Sequence, residues 1–473
     1  MNSPSPESSK GDTGIAEGSS LYAAHKIIQV RAVTGIFSTW RWIFVWITQL
    51  LFYGLCWVPW NGRQAVLLNI VERKFYLFGL VLWPQDVFLL AILLIISAYG
   101  LFLVTAVGGR IWCGYACPQT VYTEIFIWLE HVIEGDHNAR AKLDKAPWTS
   151  SKIVRRGLKY ASWLVLSLWT GFTLVGYFSP IKTLWGDLWA INLGPWEFFW
   201  MFFYAAFTFL LAGSLREQVC KYMCPYARFQ GVMFDPDTLI VTYDEQRGEP
   251  RGARKKGTDY KGAGLGECID CGICVQVCPT GIDIRQGLQY ECIGCAACID
   301  ACDQVMEKMD YPKGLIRYST ENAMEKHWGW KDILGHVIRP RIIVYSTILG
   351  LICLAFIWAV AHKPSLRVDV IRDRGIMARE AEGGLIENVY NLQVMNVSEK
   401  PQRYVVSVTG LDKIVLVGPN SVELAPATTK AYNVSVRVPY ESGQKGSNVI
   451  YFDVKSDTDE SARVHEKATF FLP

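Results

Sequence analysis

The sequence predicts a membrane protein of five α-helical spans, with a cysteine-rich domain between the fourth and fifth spans and an all-β sandwich at the C-terminal end. Three observations lead to this prediction: five long apolar runs, cysteines that gather beside them, and a C-terminal stretch in which apolar and polar residues alternate. The composition agrees, because 51% of the 473 residues are apolar and only 19% are charged, whereas a soluble domain has about 25% charged residues. The net charge of +3 is too small to indicate a nucleic-acid partner.

Residues 1–41 are predicted to form a cytoplasmic and largely disordered tail. The first 20 are mostly Ser, Gly, Pro and Glu and include almost no bulky apolar side chain. Such a segment cannot bury enough apolar surface to fold. Because no apolar stretch follows an early basic one, we expect no signal peptide.

Five apolar runs have nearly the ~20 residues that cross a bilayer, and they carry almost no charge. Tryptophans at their edges suit the membrane–water interface. The runs are residues 43–58, 87–107, 158–178, 196–215 and 342–361. Four of them form a predicted membrane region over 42–226, and the last is a single span over 342–362. Helices buried in a soluble core are the alternative.

Lysine and arginine in the loops predict the orientation. The loop 108–157 holds seven, while the loops 59–86 and 179–195 hold three and one. Loops rich in these residues stay in the cytoplasm. We therefore expect a multi-pass protein of the bacterial inner membrane, with the N-terminus and the segment 227–341 in the cytoplasm and residues 363–473 in the periplasm. The last segment contains no cysteine, which agrees with export.

The strongest motif is a pair of cysteine runs within 227–341. Each has the spacing C-x2-C-x2-C-x3-C, which is typical of bacterial two-cluster ferredoxins. In that arrangement the first three cysteines of each run hold one [4Fe-4S] cluster and the fourth reaches the other cluster. The predicted ligand sets are Cys268, Cys271, Cys274 and Cys302 for one cluster and Cys292, Cys295, Cys298 and Cys278 for the other. A pair of zinc ribbons is the alternative.

Two details of these runs bear on the chemistry. Small residues such as Gly272 and Gly294 lie where the backbone must wrap a cluster. The first run ends in Cys-Pro with Pro279, whereas the second has Asp303 in that place, and we expect the turn to differ there. Two clusters in one small domain indicate an electron relay rather than a site of bond chemistry.

Two further cysteine pairs occur where predicted spans meet the cytoplasm. Cys113 and Cys117 follow the second span, Cys220 and Cys224 follow the fourth, and both pairs read C-x3-C-P. On a helix this spacing would put both sulfurs on one face, so that the pairs could converge on a single four-thiolate site. Thiolates favour Cu(I), zinc or iron–sulfur ligation, and inert buried thiols are the alternative. The two remaining cysteines, Cys56 and Cys353, are interpreted as packing residues within spans.

The exported segment shows a period of two, which predicts an immunoglobulin-like sandwich. Clusters of Pro, Gly, Asn and Asp separate short runs of alternating apolar residues. The predicted strands are 366–371, 389–396, 403–409, 414–417, 431–438, 448–454 and 468–472. No cysteine pair of the antibody type is present, and we expect a docking or scaffold role.

Together these features resemble the CcoG/FixG (RdxA) family of accessory proteins for cbb3-type cytochrome c oxidase. The resemblance extends beyond the cysteines to several other segments. These are PWNGRQ at 59–64, RKFY at 73–76, WPQD at 83–86, CGYACPQ at 113–119, RGEPR at 247–251 and RVDVIRDR at 367–374.

The resemblance implies reduction of Cu(II) to Cu(I) in the cytoplasm, so that copper can be delivered for oxidase assembly. The candidate copper and catalytic residues are then Cys113, Cys117, Cys220 and Cys224. The implied partners are copper ions, a copper transporter or chaperone, oxidase assembly factors, an unidentified electron donor and membrane lipid.

Two other functions remain open at this point. One is that of a quinol-oxidising electron-transfer subunit that feeds a periplasmic reductase, as in membrane ferredoxins of the NapH and NosR kind. The other is a redox-sensing or scaffold protein. The exported β domain favours copper reduction over the first alternative, and the lack of a separate sensor domain disfavours the second.

Overall fold

The computed structural model describes residues 28–373, 375, 378–381, 383–459 and 462–473. Most of the predicted disordered tail lies outside these residues.

The α-helices of the described residues are, in chain order, α1 (Ile36–Gly54), α2 (Val87–Gly108), α3 (Ile111–Tyr115), α4 (Pro118–Glu134), α5 (His137–Lys145), α6 (Ser150–Val175), α7 (Ile181–Trp189), α8 (Pro195–Thr208), α9 (Pro225–Met233), α10 (Glu245–Gly248), α11 (Ile273–Gln276), α12 (Ala297–Met309), α13 (Glu321–Glu325), α14 (Trp330–Val337) and α15 (Pro340–Ala361). Two π-helical segments follow α8, at Phe209–Leu215 and Val219–Met223.

The strands are β1 (Pro59–Trp60), β2 (Arg63–Gln64), β3 (Val66–Asn69), β4 (Lys74–Leu77), β5 (Leu80–Leu82), β6 (Ile240–Tyr243), β7 (Ile316–Ser319), β8 (Leu366–Arg372), β9 (Arg379–Ala381), β10 (Leu385–Asn396), β11 (Gln402–Thr409), β12 (Val415–Val417), β13 (Ser421–Leu424), β14 (Thr429–Pro439), β15 (Gly446–Ser456) and β16 (Arg463–Leu472).

Four helical segments of the described residues are long and apolar enough to cross a membrane: Pro84–Gly108, Ser150–Val175, Pro195–Leu215 and Pro340–Ala361. They coincide with the second to fifth predicted spans. The first predicted span lies instead in α1, which begins at Ile36 and ends at Gly54. Because α1 carries Arg41 and Gln49 among its apolar residues, it does not join this group, and the first of the five predicted spans stays a prediction.

The helices α1 and α15 connect the same two polar layers. At one end, the backbone nitrogen of Ser38 in α1 donates to Asp300 of the cysteine-rich domain, and Arg339 before α15 pairs with Asp235. At the other end, Lys363, which follows α15, forms an ion pair with Asp86, which precedes α2. The cysteine-rich segment 227–341, hereafter the ferredoxin domain, therefore lies on the opposite side of the helices from the C-terminal β domain.

The segment 59–86, which is a loop in the predicted topology, folds into two small sheets, β1–β2 and β3–β4–β5. We call it the hairpin layer. Its residues Tyr76 and Trp83 share a buried apolar core with Met395 and Val397 of the β domain. The carboxylate of Asp86, which is fully buried, forms ion pairs with Lys363 and Arg367 at the same interface.

The C-terminal domain is a sandwich of two antiparallel sheets. One sheet has the order β12–β14–β10–β8, with β9 beside β10, and the other has the order β13–β11–β15–β16. Alternate residues of β10, namely Tyr390, Leu392 and Val394, are completely buried between the sheets. The seven predicted strands all coincide with observed strands. The short strands β9 and β13 were not predicted.

Candidate metal centres at the membrane face

The first predicted set of iron–sulfur ligands surrounds one cavity. Cys268, Cys271, Cys274 and Cys302 all line it, together with apolar side chains such as Ile316. Cys302 comes from the second cysteine run, so the crossed arrangement places it with the first run. This surrounding of four thiols and apolar groups fits a [4Fe-4S] cluster.

The second predicted set lies deeper. The pKa of the Cys298 thiol is raised well above its usual value by burial and by the neighbouring thiols of Cys295, Cys292 and Cys278. Burial also raises the pKa of Cys292 to about 12, and Cys295 and Cys278 contribute to that rise. Four thiols grouped in this way are unfavourable as free thiolates, and a bound metal would compensate the charge of their deprotonated form. The described residues therefore fit a second cluster, and the exact ligand sets stay predictions.

The two runs repeat one backbone conformation. Asp270 and Gly294 occupy equivalent positions and have φ of +53° and +67°. Two residues later, Gly272 and Ala296 have φ of +64° and +58°. Left-handed residues at these points turn the chain tightly between ligands, which explains the small side chains at three of the four positions.

The second cysteine run has Asp303 where the first has a proline, and this difference has a structural reason. The helix after Cys298 is long, since α12 runs from Ala297 to Met309, and a proline at position 303 would interrupt it. The equivalent helix α11 ends at Gln276, so Pro279 lies beyond its end. The Asp303 carboxylate instead accepts a hydrogen bond from the backbone nitrogen of Gly314 at 2.9 Å.

The expectation that each C-x3-C-P pair lies on one continuous helix is wrong. Cys113 is in α3, while Cys117 has extended backbone angles and precedes α4. Cys220 is in a π-helical turn, and Cys224 is again extended before α9. The proline after each second cysteine is the cause, because it disfavours a helical conformation in the preceding residue and suits the first position of a new helix.

The two pairs nevertheless come together, and we call Cys113, Cys117, Cys220 and Cys224 the four-thiol site. Burial raises the pKa of Cys220 to about 12, and the thiols of Cys117, Cys113 and Cys224 add to this rise. Burial likewise raises the pKa of Cys113 to about 11. A metal that binds here must displace protons from these thiols.

The four-thiol site is not preformed for a single ion. Among the residues that the structure describes, no three Cys, His, Asp or Glu side chains form a ready coordination shell. The sulfur of Cys113 also lies within hydrogen-bond distance of the fully buried amide of Gln230, 3.5 Å from its nitrogen and 3.6 Å from its oxygen. Binding of an ion to several of these thiols therefore requires their side chains to rotate.

The four-thiol site lies directly against the second set of cluster ligands. A Cβ atom on Gly114 would be only 2.9 Å from the Cα atom of Cys295, so the two backbones touch. Arg110 lies beside both sites. Burial raises the pKa of Cys113, Cys220 and Cys292, and the positive charge of Arg110 offsets a part of this rise in all three. The geometry is suited to passing an electron between the ferredoxin domain and a metal at the four-thiol site.

A buried ion network, which sequence reasoning missed, holds the two cysteine pairs in place. The carboxylate of Glu130 lies 2.6 Å from Arg216, 3.1 Å from Arg140 and 3.6 Å from Lys159. Burial alone would raise the pKa of Glu130, but these cations bring it below its ordinary value. Glu130 is in the helix that follows Cys117, and Arg216 precedes Cys220, so the network joins the two halves of the four-thiol site.

Comparison with family models agrees with both domains. Residues 215–321 match a "4Fe-4S dicluster domain", 90–134 match a "4Fe-4S binding domain", and 356–473 match the "IG-like fold at C-terminal of FixG". With the apolar helices, these matches define a membrane iron–sulfur electron-transfer protein.

Related proteins establish the family. The chain is 36% identical to nitrogen fixation protein FixG of Rhizobium meliloti over 82% of its own length and 80% of that protein. It is 39% identical to protein RdxB of Cereibacter sphaeroides, over 87% of each chain, and 36% identical to RdxA of the same organism, over 82% and 84%. The chain belongs to the FixG/RdxA family, which confirms the resemblance noted from the sequence.

Proposed function

We propose that this protein reduces Cu(II) to Cu(I) at the four-thiol site and thereby supplies copper for the assembly of a cbb3-type cytochrome c oxidase. The observation that carries the proposal is the direct contact between Gly114, within the first cysteine pair, and Cys295 of the ferredoxin domain. Thiolates are the ligands that Cu(I) prefers. A copper transporter or chaperone and oxidase assembly factors would be its partners.

The proposal includes a topology of five spans in the bacterial inner membrane. Two features support α1 as a span in addition to the other four: it connects the same two layers as α15, and its 19 residues extend about 28 Å at 1.5 Å per residue, close to the thickness of a bilayer core. Loops rich in lysine and arginine favour a cytoplasmic ferredoxin domain and a periplasmic β domain.

The clusters in this proposal supply single electrons. The ligands would be Cys268, Cys271, Cys274 and Cys302 for one cluster and Cys292, Cys295, Cys298 and Cys278 for the other. The second would be the one that faces the four-thiol site, because Cys295 belongs to it.

The first experiment is a metal analysis of protein purified without oxygen, followed by addition of Cu(II) to the reduced protein. We expect about eight irons per chain, since each cluster has four, and formation of Cu(I) as the clusters are oxidised. About twelve irons would instead assign the four-thiol site to a third cluster and contradict a copper site there.

The second experiment changes Cys113, Cys117, Cys220 and Cys224 to Ser together. Copper binding should fall while the visible absorbance of the iron–sulfur clusters is kept, because none of the eight predicted cluster ligands is altered. Cys353→Ser is the matched control, since this cysteine stands alone in α15. Unchanged copper stoichiometry in the fourfold variant would exclude the four-thiol site as the copper site.

One observation favours quinol oxidation, coupled to a periplasmic reductase, as a second candidate function. An apolar groove between α1, α4 and α6 is lined by several tryptophans, including Trp46, Trp128 and Trp169, and by the amide of Gln49. Ligand sites of this kind combine an apolar lining with a few polar groups. This alternative predicts that a membrane quinol reduces the oxidised clusters, and a lack of reduction would exclude it.

A further inference from the structure

A cleft on the side of the ferredoxin domain leads to the four-thiol site. It is formed on one wall by Arg110, Cys220, Lys221 and Arg228, and on the other by Tyr290 and Glu291. Cys220 is therefore the member of the four-thiol site that this opening reaches. The volume of the cleft is about 370 Å³, which suits a small molecule rather than a folded protein.

The cleft lies between the two predicted redox sites. Cys220 comes from the membrane region, whereas Glu291 directly precedes the cluster ligand Cys292. Tyr290 closes the end of the cleft against Gly231, where a Cβ atom would be 2.7 Å from the tyrosine ring. A molecule in this cleft would lie between the predicted copper ligand and the predicted electron donor.

The cleft is positively charged. Arg110, Lys221 and Arg228 face it with a single carboxylate, Glu291. Arg110 is buried, so solvent screens its charge less than it screens an exposed side chain. A cleft lined by charges of one sign attracts ligands of the opposite sign and repels a hydrated cation.

We propose, resting on the copper reduction proposed above, that copper enters this cleft as a small anionic complex with carboxylate ligands, and not as the hydrated Cu(II) ion. Within the cleft the Cu(II) of the complex takes up one electron from the reduced clusters and becomes Cu(I), while the reduced clusters lose that electron. The Cu(I) then exchanges a ligand of the complex for the Cys220 sulfur, whose proton passes to solvent. The softer metal ion favours this exchange.

The test uses the full-length protein with chemically reduced clusters and follows their reoxidation by visible absorbance. One oxidant is Cu(II)–citrate, an anionic complex, and the other is Cu(II)–ethylenediamine, a cationic one. The variant is Lys221→Glu with Arg228→Glu. The control is Lys256→Glu with Lys313→Glu, which reverses two exposed charges outside the cleft.

We expect the cleft variant to react about tenfold more slowly than the wild type with Cu(II)–citrate at low ionic strength, and faster with Cu(II)–ethylenediamine. The control should change neither rate appreciably. In the wild type, added salt should slow the anionic complex and accelerate the cationic one, and this measurement does not depend on folding of any variant.

Two outcomes distinguish a failure of the anionic entry route from a failure of copper reduction itself. If both complexes oxidise the clusters, and neither charge reversal nor salt changes the ratio of their rates, the anionic entry route is wrong and copper reduction stands. If neither complex oxidises the reduced clusters of the wild type, copper reduction itself is wrong, and the entry route with it.

Discussion

Gly114 shows how closely one residue can couple two domains. It lies in the helix α3 that carries Cys113, and its Cα hydrogens face the backbone of Gly294 and Cys295. Any side chain here would separate the ferredoxin domain from the four-thiol site.

We predict that Gly114→Ala slows electron transfer from the reduced clusters to copper. The added Cβ atom would lie 2.9 Å from backbone atoms of the ferredoxin domain, and such overpacking costs about 1–3 kcal/mol. The rate of cluster reoxidation by Cu(II) is the measurement. Gly157→Ala is the control, because a Cβ atom there meets nothing within 4 Å. Equal rates in both variants would show that this contact is not on the electron path.

At the scale of residues, spacing alone identifies the cysteines of all three candidate sites. It does not identify Gly114 or Arg110, because a lone glycine or arginine beside a span carries no periodic signal. Their roles depend on contact with residues about 180 positions further along the chain, which one sequence cannot reveal.

At the scale of elements, α4 and α6 are joined by buried charged side chains, which would be unfavourable in an apolar environment without their ion-pair partners. Glu130 and Glu134 in α4 face Lys159 in α6, and all three side chains are less than 10% exposed. Charges buried to this degree must be paired.

We predict that Glu130→Gln strongly destabilises the protein. The variant would leave Arg216 and Arg140 without their carboxylate partner, and breaking a buried pair costs about 3–5 kcal/mol. Thermal unfolding of the purified protein in detergent, followed by tryptophan fluorescence, is the measurement.

The control for this variant is Glu307→Gln, whose pair with Lys313 is exposed and should contribute less than about 1 kcal/mol. A Glu130→Gln variant that unfolds at the same temperature as this control would contradict a stabilising role of the network.

Among the elements, long apolar helices and alternating strands were predicted well, because an uncharged apolar run of ~20 residues and a period of two are both strong signals. The breaks at Cys117 and Cys224 were not predicted, although the proline after each cysteine was a usable signal. The hairpin layer was also missed, since its strands have two to four residues and are held mainly by the β domain.

At the scale of the whole molecule, the ion pairs of Asp86 connect the C-terminal β domain to the helices. Its carboxylate is fully buried and lies 2.6 Å from Lys363 and 2.5 Å from Arg367. These two residues flank the junction between α15 and β8, so the pairs restrain the domain where it leaves the last helix.

We predict that Asp86→Asn loosens the β domain from the hairpin layer. Two partly buried cations would lose their common, fully buried partner, at a cost of about 3 kcal/mol. Hydrogen exchange of the backbone at 66–82 should become faster, while exchange in the ferredoxin domain should not change. Asp412→Asn, at an exposed position, is the control. Unchanged exchange at 66–82 would show that apolar packing alone holds the interface.

The order of domains along the chain was predictable from composition, since four apolar runs, a cysteine-rich segment, a fifth apolar run and an alternating segment follow one another. The docking of these domains was not predictable. It depends on single contacts such as Gly114 with Cys295 and Asp86 with Lys363, which join residues far apart in the sequence.

The contact between α1 and Asp300 has a consequence for biogenesis. The backbone nitrogens of Phe37 and Ser38 donate to this carboxylate, which also suits the positive end of a helix dipole. Asp300 lies between Cys298 and Cys302. Since ribosomes make the chain from its N-terminus, the first helix cannot reach its final position until some 260 later residues exist. Maturation of the membrane part thus waits for the segment that receives the iron.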